Sequence, residues 1–313
     1  MSFIHSFAML PILNLPWIPL EQIIKRIPPF ELLNFSLLSN RCTTAAKRAK
    51  CKVDEVEWYL NKWNAEITIR RSSASKITIL MYENPRNPRI TKFCVKNELE
   101  KYSDIWIVSE SATVLDTLEK LSAHVLKIFN AKELNLHSWD AQPPLPNFWH
   151  KLNLSFDSFN YDFRSGCLVD SDSMMFLLDN IKTDKLMLLN LQVVSEFQYS
   201  TPLKFNGLYI RNAHWFTLDN LLSMECIYLI IFGSHITASD LNVFSKKWQQ
   251  GLFPKLRHMC FSKPRQVNWT LRIENADGNG RLTDVHGNRG RFEERANDEI
   301  KFRVKSKSRL VPE

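Results

Sequence analysis

Glycine is scarce in this chain, with 8 in 313 residues. Loops that cradle phosphates use glycine for positive φ and for close backbone approach, so the scarcity argues against a nucleotide-binding fold. Neither GxxxxGKS/T nor GxGxxG occurs, and DGNGRL at Asp277 to Leu282 has the composition of a turn. Paired cysteines are lacking as well: Cys42, Cys51, Cys94, Cys167, Cys226 and Cys260 stand singly, with no CxxC and no histidine at zinc spacing. That pattern predicts reduced thiols, a cytoplasmic or nuclear setting, and no bound metal or cofactor. The histidines form no HExxH, no serine sits in a GxSxG elbow, and no catalytic constellation stands out, so an enzyme is not expected. Long apolar runs are missing too. The longest, Ile227 to Phe232, has the length of a buried strand and falls far short of the roughly 18 residues that span a bilayer, so no membrane partner is expected. The apolar start MSFIHSFAMLPILNLPWIPL lacks the charged region of a secretory leader and carries Pro11, Pro16 and Pro19.

What the chain does hold is core material, 44% hydrophobic residues and 12% aromatic ones, at a length that suits two domains. The net charge of +8 is divided between Arg41 to Lys52 and the C-terminal end, with a nearly balanced middle. A divided excess reads as solvated surface more than as a phosphate groove. One rival reading stays open at the end KFRVKSKSR, where Lys301, Arg303, Lys305, Lys307 and Arg309 alternate and would form a basic, nucleic-acid-binding face if extended. Against it stands a solvated edge strand protected by its lysines.

The most informative stretch is LPWIPLEQIIKRIPPFELLNFSLLSNRC, Leu15 to Cys42. Leu20, Ile23, Ile24 and Ile27 mark one face of a short helix, with Glu21 in its first turn and Lys25 and Arg26 in its last, as the helix dipole prefers. Pro28 and Pro29 stop it. A second helix carries Phe30, Leu32, Leu33, Phe35, Leu37 and Leu38 toward a turn near Ser39, and a third, over Thr43 to Lys52, offers the small face Ala45, Ala46 and Ala49. Helices this short cannot enclose all these apolar side chains among themselves, and the surplus points to a partner protein.

The order of LP, the pair Ile23 and Ile24, a proline turn, the pair Leu32 and Leu33, and then FSLLSNRC resembles an F-box, with Cys42 where many members carry a bulkier residue. The resemblance, taken over residues 9–52, implies a three-helix motif that docks the Skp adaptor of SCF ubiquitin ligases and, through it, a cullin. It implies adaptor contacts by Leu15, Pro16, Leu20, Ile24, Leu32, Leu33 and Leu38. Replacing Leu32 and Leu33 with Asp is then expected to abolish adaptor capture while leaving the C-terminal domain folded.

Beyond this stretch, EITIRR (Glu66 to Arg71) and KITILMY (Lys76 to Tyr82) alternate around SSAS as a hairpin, and NPRNP at Asn84 to Pro88 reads as a loop. Ala112 to Asn130 is an amphipathic helix with Ser111 as its cap. Short strands then start near Lys132, Lys151, Asp184, Leu203, Glu225 and Pro254, with helices before several of them from Ser171, Phe216 and Thr237. In the last helix Thr237 is the N-cap, Leu241, Phe244 and Trp248 share a face, and Gly251 is the stop. WTLRIENADGNGRLTDVHG, from Trp269, reads as a hairpin turning at Asp277 to Gly280. The recurrence predicts an irregular leucine-rich-repeat-like α/β domain with a mostly parallel sheet over residues 56–313.

PNFWHKL (Pro146 to Leu152) and ITASDLNVFSKKWQQGLFPKLRHM (Ile236 to Met259) resemble the F-box-associated domain of nematode-type F-box proteins. The two resemblances together imply the substrate-recognition subunit of an SCF-type ligase, recruiting an unknown protein through its C-terminal domain. Trp139, Phe148, Trp149, Trp215 and Trp248 are aromatic anchor candidates, each set against the plainer reading of a core residue.

Overall fold

The computed structural model describes residues 12–61, 64–72, 75–84, 87–96, 102–105, 113–139, 154–162, 168–262, 272–274, 276–277, 281–295 and 299–305. The chain divides into two compact units, Met1–Leu136 and His137–Glu313.

In the first unit a single 3-10 turn, Ile12–Asn14, precedes three helices: α1 (Trp17–Arg26), α2 (Pro29–Leu37) and α3 (Asn40–Ala49). Ile27 leaves α1 in an extended conformation, as a residue before proline must, and Pro29 opens α2, where its missing N–H costs nothing. Ser39 caps α3, its Oγ accepting from the Cys42 N–H at 3.2 Å, and Lys50 ends it in the left-handed region at φ 45°. The third helix thus starts three residues before the expected Thr43, because Ser39, which suits a turn, is also a helix cap. Cys42 lies inside with Ala45, Ala46 and Ala49, so the small residue fits where α3 packs closely against its neighbours.

Strands follow at once: β1 (Cys51–Leu60), β2 (Asn64–Ser72), β3 (Ser75–Asn84), β4 (Asn87–Lys96) and β5 (Tyr102–Ile105), then helix α4 (Val114–Ile128) and β6 (Phe129–Trp139). Their order is β6-β1-β2-β3-β4-β5, and β1 to β5 pair antiparallel in sequence. The hairpin of β2 and β3 matches expectation. β3 and β4 form a second hairpin with Asn84 opposite Asn87 and Pro88 inside β4, so the loop expected at Asn84 to Pro88 narrows to residues 85–86, which lie outside the described residues. Thr113, not Ser111, caps α4 through a capping box with Asp116. Ser111 lies outside the described residues.

The second unit is the mostly parallel sheet predicted from the recurring strands. β7 (Ser155–Asp162), β9 (Lys182–Asn190), β11 (Gly207–Arg211), β12 (Tyr228–Ile231) and β13 (His258–Ser262) run parallel in that order. Helices α5 (Ser171–Asn180), α6 (Leu218–Ser223) and α7 (Ala238–Gln249) lie in the connections, and β8 (Leu168–Val169) and β10 (Gln192–Val193) form a small parallel pair. Thr237 caps α7 as expected, and Gly251 ends the segment at φ +85° with its N–H on the Trp248 carbonyl at 2.8 Å. An antiparallel extension, β14 (Arg281–Thr283), β15 (Arg289–Glu294) and β16 (Glu299–Lys305), continues the sheet from β13 in the order β13-β16-β15-β14.

β14 pairs with β15 across residues 284–288, where Asp284 closes the turn by accepting from the Asn288 N–H at 2.7 Å. At the expected turn, Asp277 donates its N–H to the Arg281 carbonyl and accepts from the Arg281 N–H, both at 2.9 Å, and residues 278–280 between them lie outside the described residues. One expectation about this C-terminal part is corrected: the strand of KFRVKSKSR is no edge, since β16 is hydrogen-bonded on both sides, to β13 and to β15. Lys307 and Arg309 lie outside the described residues.

Candidate functional site

The seven residues singled out from the F-box resemblance separate into two groups. Leu20, Ile24, Leu32 and Leu33 are buried, at 6%, 0%, 1% and 4% exposure, whereas Leu15 and Leu38 are exposed at 39% and 75%, and Pro16 is exposed with them. The buried four cannot offer area to a partner from where they sit; they hold α1 and α2 onto the rest of the unit. Ile18 at 73%, Leu37 at 52% and Ile23 at 38% complete the exposed set; they belong to the apolar surplus of the sequence but not to the seven residues assigned to the adaptor. Their signal was weak because Ile18 lies between two prolines and Leu37 beside a helix end, where periodicity gives no facing.

Several polar contacts fix the three helices. Ser36, wholly buried, donates its hydroxyl to the Leu33 carbonyl at 2.6 Å and meets Nε2 of His124, on α4, at 2.8 Å. Thr43 donates to the Ser36 carbonyl at 2.6 Å, joining α3 to α2. Arg71, at the end of β2, donates to the carbonyls of Ile27 at 3.1 Å and Lys25 at 2.5 Å. Those carbonyls lie at the negative end of α1 without helical partners, so the guanidinium satisfies them and the helix dipole together. The Arg48 guanidinium covers the Trp17 ring at 4.1 Å, tying α3 to the start of α1. Burial and the nearby Lys127 ammonium hold His124 below the usual histidine range, so it sits neutral against Ser36.

No group of three or more His, Cys, Asp or Glu comes together as metal ligands among the described residues. Cys42, Cys51, Cys226 and Cys260 are buried free thiols, and burial pushes Cys226 and Cys260 up to about 11, which makes them poor nucleophiles. No helix among these residues is long and apolar enough to cross a membrane.

The aromatic anchor candidates divide as well. Trp215 and Trp248 are core residues at 4% and 2% exposure, Trp215 against Phe197 at 5.3 Å and Trp248 against Phe302 at 5.2 Å. Trp139 is 48% exposed, and Phe148 and Trp149 lie outside the described residues. On the second sheet, the face turned away from α7 exposes Arg281, Arg289, Arg291, Arg303 and Lys305 together with Tyr228. Lys301, Arg303 and Lys305 are thus on one face, as their alternation predicts, and the cations from β14 and β15 that join them were invisible without the strand register.

Comparison with known proteins places these features. The family model described as F-box domain matches residues 12–54, the span of α1 to α3 and the start of β1. The model described as F-box associated matches residues 196–261, from the approach to β11 through β13. Two uncharacterized proteins of Caenorhabditis elegans are similar over much of the chain: one is 20% identical, covering 83% of this chain and 64% of the relative. The other is 22% identical, covering 82% of this chain and 62% of the relative. The chain therefore spans less than two thirds of the length of these curated relatives. No solved structure matches it. The three helices and the two family matches make the chain similar to F-box proteins over residues 12–54 and to the F-box-associated family over residues 196–261, the combination that its resemblance to nematode-type F-box proteins implies.

Proposed function

We propose that the protein is a substrate-recognition subunit of an SCF-type ubiquitin ligase. The observation that carries this reading is the apolar surface on the segment matching the F-box: Ile18, Leu37 and Leu38 stand more than half exposed on helices that already have a buried side. Exposed aliphatic residues on a motif of this kind gain free energy when a partner removes them from water, about 25 cal/mol per Å². Leu15, Pro16, Ile18, Ile23, Leu37 and Leu38 contact the Skp adaptor, and through it a cullin. Leu20, Ile24, Leu32 and Leu33 support that surface from beneath. The second unit recruits a target protein, and an associated conjugating enzyme performs the transfer, so the contribution of this chain is effective concentration. It acts without cofactor or reacting group of its own, in the cytoplasm or nucleus.

Co-expression of the full chain with a Skp adaptor and affinity capture tests the reading. Wild type is expected to retain the adaptor, and Ile18→Asp combined with Leu38→Asp to lose it with an unchanged melting profile. A folded wild type that captures no adaptor, or a double variant that captures it undiminished, overturns it. Leu32→Asp is not a clean probe, since a carboxylate at a site of 1% exposure disrupts the helices themselves.

A further inference from the structure

The antiparallel extension of the second sheet has one aromatic face and one cationic face. Phe292 and Phe302 stand 4.5 Å apart, with Phe244 and Trp248 of α7 edge-on to Phe302 at 5.7 and 5.2 Å. Gly290 belongs to this buried side, where a Cβ would lie 2.6 Å from the Phe302 ring, so the strand is pressed directly onto the aromatics. Strand alternation then sends Arg281, Arg289, Arg291, Lys301, Arg303 and Lys305 to the opposite face.

Register concentrates these charges. Arg281 is opposite Arg291, Arg291 opposite Arg303, and Arg303 opposite His258, while Arg289 is opposite Lys305. Neighbouring strands lie about 4.8 Å apart, and like charges directly opposite one another are destabilising. Two carboxylates interrupt the patch, Glu293 at 3.6 Å from Arg291 and Glu299 at 3.4 Å from Lys301. Among the described residues, Arg281, Arg289, Arg303 and Lys305 form no ion pair. His258 is held below the usual histidine range, by burial first and then by Arg303, Lys301 and Arg295, as a positive local potential requires. The same face continues into apolar surface: Tyr228, opposite His258, is 53% exposed, and Ile230 follows it along β12.

We propose that this face binds an acidic, extended segment of a partner protein, with Asp and Glu carboxylates on the arginine rows and an apolar side chain against Tyr228 and Ile230. A row of unpaired cations that costs the fold stability is offset when carboxylates fill it. The dimensions favour a peptide over nucleic acid. Three strands span about 10 Å and two same-face positions along a strand about 7 Å, room for a few carboxylates and far less than a duplex footprint. Glu293 and Glu299 repel closely spaced phosphates, whereas same-face side chains of an extended peptide recur only about every 7 Å and pass between them. The proposal rests on reading the second unit as the recruiting end of the molecule, but its test does not require the adaptor.

The full chain is titrated into a short fluorescein-labelled peptide alternating Glu and Leu, the same peptide with Gln for Glu, and a single-stranded oligothymidylate of equal charge. The acidic peptide is expected to bind about tenfold or more tightly than the other two, and to weaken as salt rises. Arg291→Glu with Arg303→Glu is expected to lower that affinity about tenfold or more, while Lys246→Glu with Lys247→Glu, exposed on α7, leaves it unchanged. Equal binding of the Gln peptide, stronger binding of the oligonucleotide, or indifference to the Arg291 and Arg303 reversal overturns the proposal. Adaptor capture measured on the same preparations separates the two readings: capture retained while the acidic peptide fails to bind sinks this inference alone, and capture lost while peptide binding persists upholds it and sinks the ligase reading.

Discussion

Helices α1 and α2 keep Leu20, Ile24, Leu32 and Leu33 inside and leave Ile18, Leu37 and Leu38 in water, whereas β15 and β16 keep Phe292, Ile300 and Phe302 inside and leave arginine and lysine in water. The difference follows from geometry. A short helix stopped by proline has more apolar positions than one contact face can cover, so aliphatic surface is left over. A strand hydrogen-bonded on both sides divides its residues strictly between two faces, so a sequence alternating apolar and basic gives one sealed face and one charged face. The first surface gains by losing water and the second by gaining counter-charge, and the two should therefore answer differently to salt, substitution and pH.

The largest expected effect lies in the aromatic backing. Phe302→Ala removes the ring that meets Phe244, Trp248 and Phe292 and should cost about 3–5 kcal/mol in a urea titration. Acidic-peptide binding should fall with it while adaptor capture persists; loss of both together would mean that the two regions do not respond separately. Next in size, raising salt from low to high should weaken peptide binding markedly and leave adaptor capture nearly constant, since Debye screening acts on the charged surface and not on the aliphatic one. A similar response of both would erase the contrast.

Smaller effects sharpen the picture within each region. Thr237→Ala removes the capping box of α7 and should cost about 1 kcal/mol, read as a lower urea midpoint for the second unit. His124 provides the finest probe. Because its folded pKa lies below the ordinary 6.5, the unfolded chain binds more protons near that pH. Its contribution to stability is full above about pH 6.5 and is lost as the pH falls through the window below. His124→Gln should flatten that slope for the first unit, measured as thermal midpoint against pH.

The helices were legible because proline, serine and small residues punctuate them, and the parallel strands because their apolar cores recur. Strand β1 was not, and the reason is visible in its residues. Glu55 and Glu57 make CKVDEVEWYL look like a polar linker, yet Glu57 is 6% exposed, and Arg70 of β2 meets the two carboxylates at 3.1 and 3.2 Å. A charge neutralised by a partner on the next strand reads as surface until the pairing is known. The exposed apolar set on the three helices was half legible for a related reason. Which of the leucines between residues 15 and 38 are covered depends on β2, β3 and α4, elements that touch α2 from far along the chain. Local periodicity gives the existence of an apolar stripe but not what lies over it. On the second sheet, the alternation in KFRVKSKSR predicted a cationic face, while its centre of charge depended on Arg281 and Arg291, brought alongside only by the register.

The guanidinium of Arg71 grips two carbonyls at the close of α1 from the far end of β2. Residues 12–54 cut out as a free-standing module would keep every apolar side chain of the family match but forfeit this buttress, along with the imidazole behind Ser36. Transplanting the helices to another carrier would accordingly move the letters without the brace, and a minimal portable version has to extend at least to the end of α4.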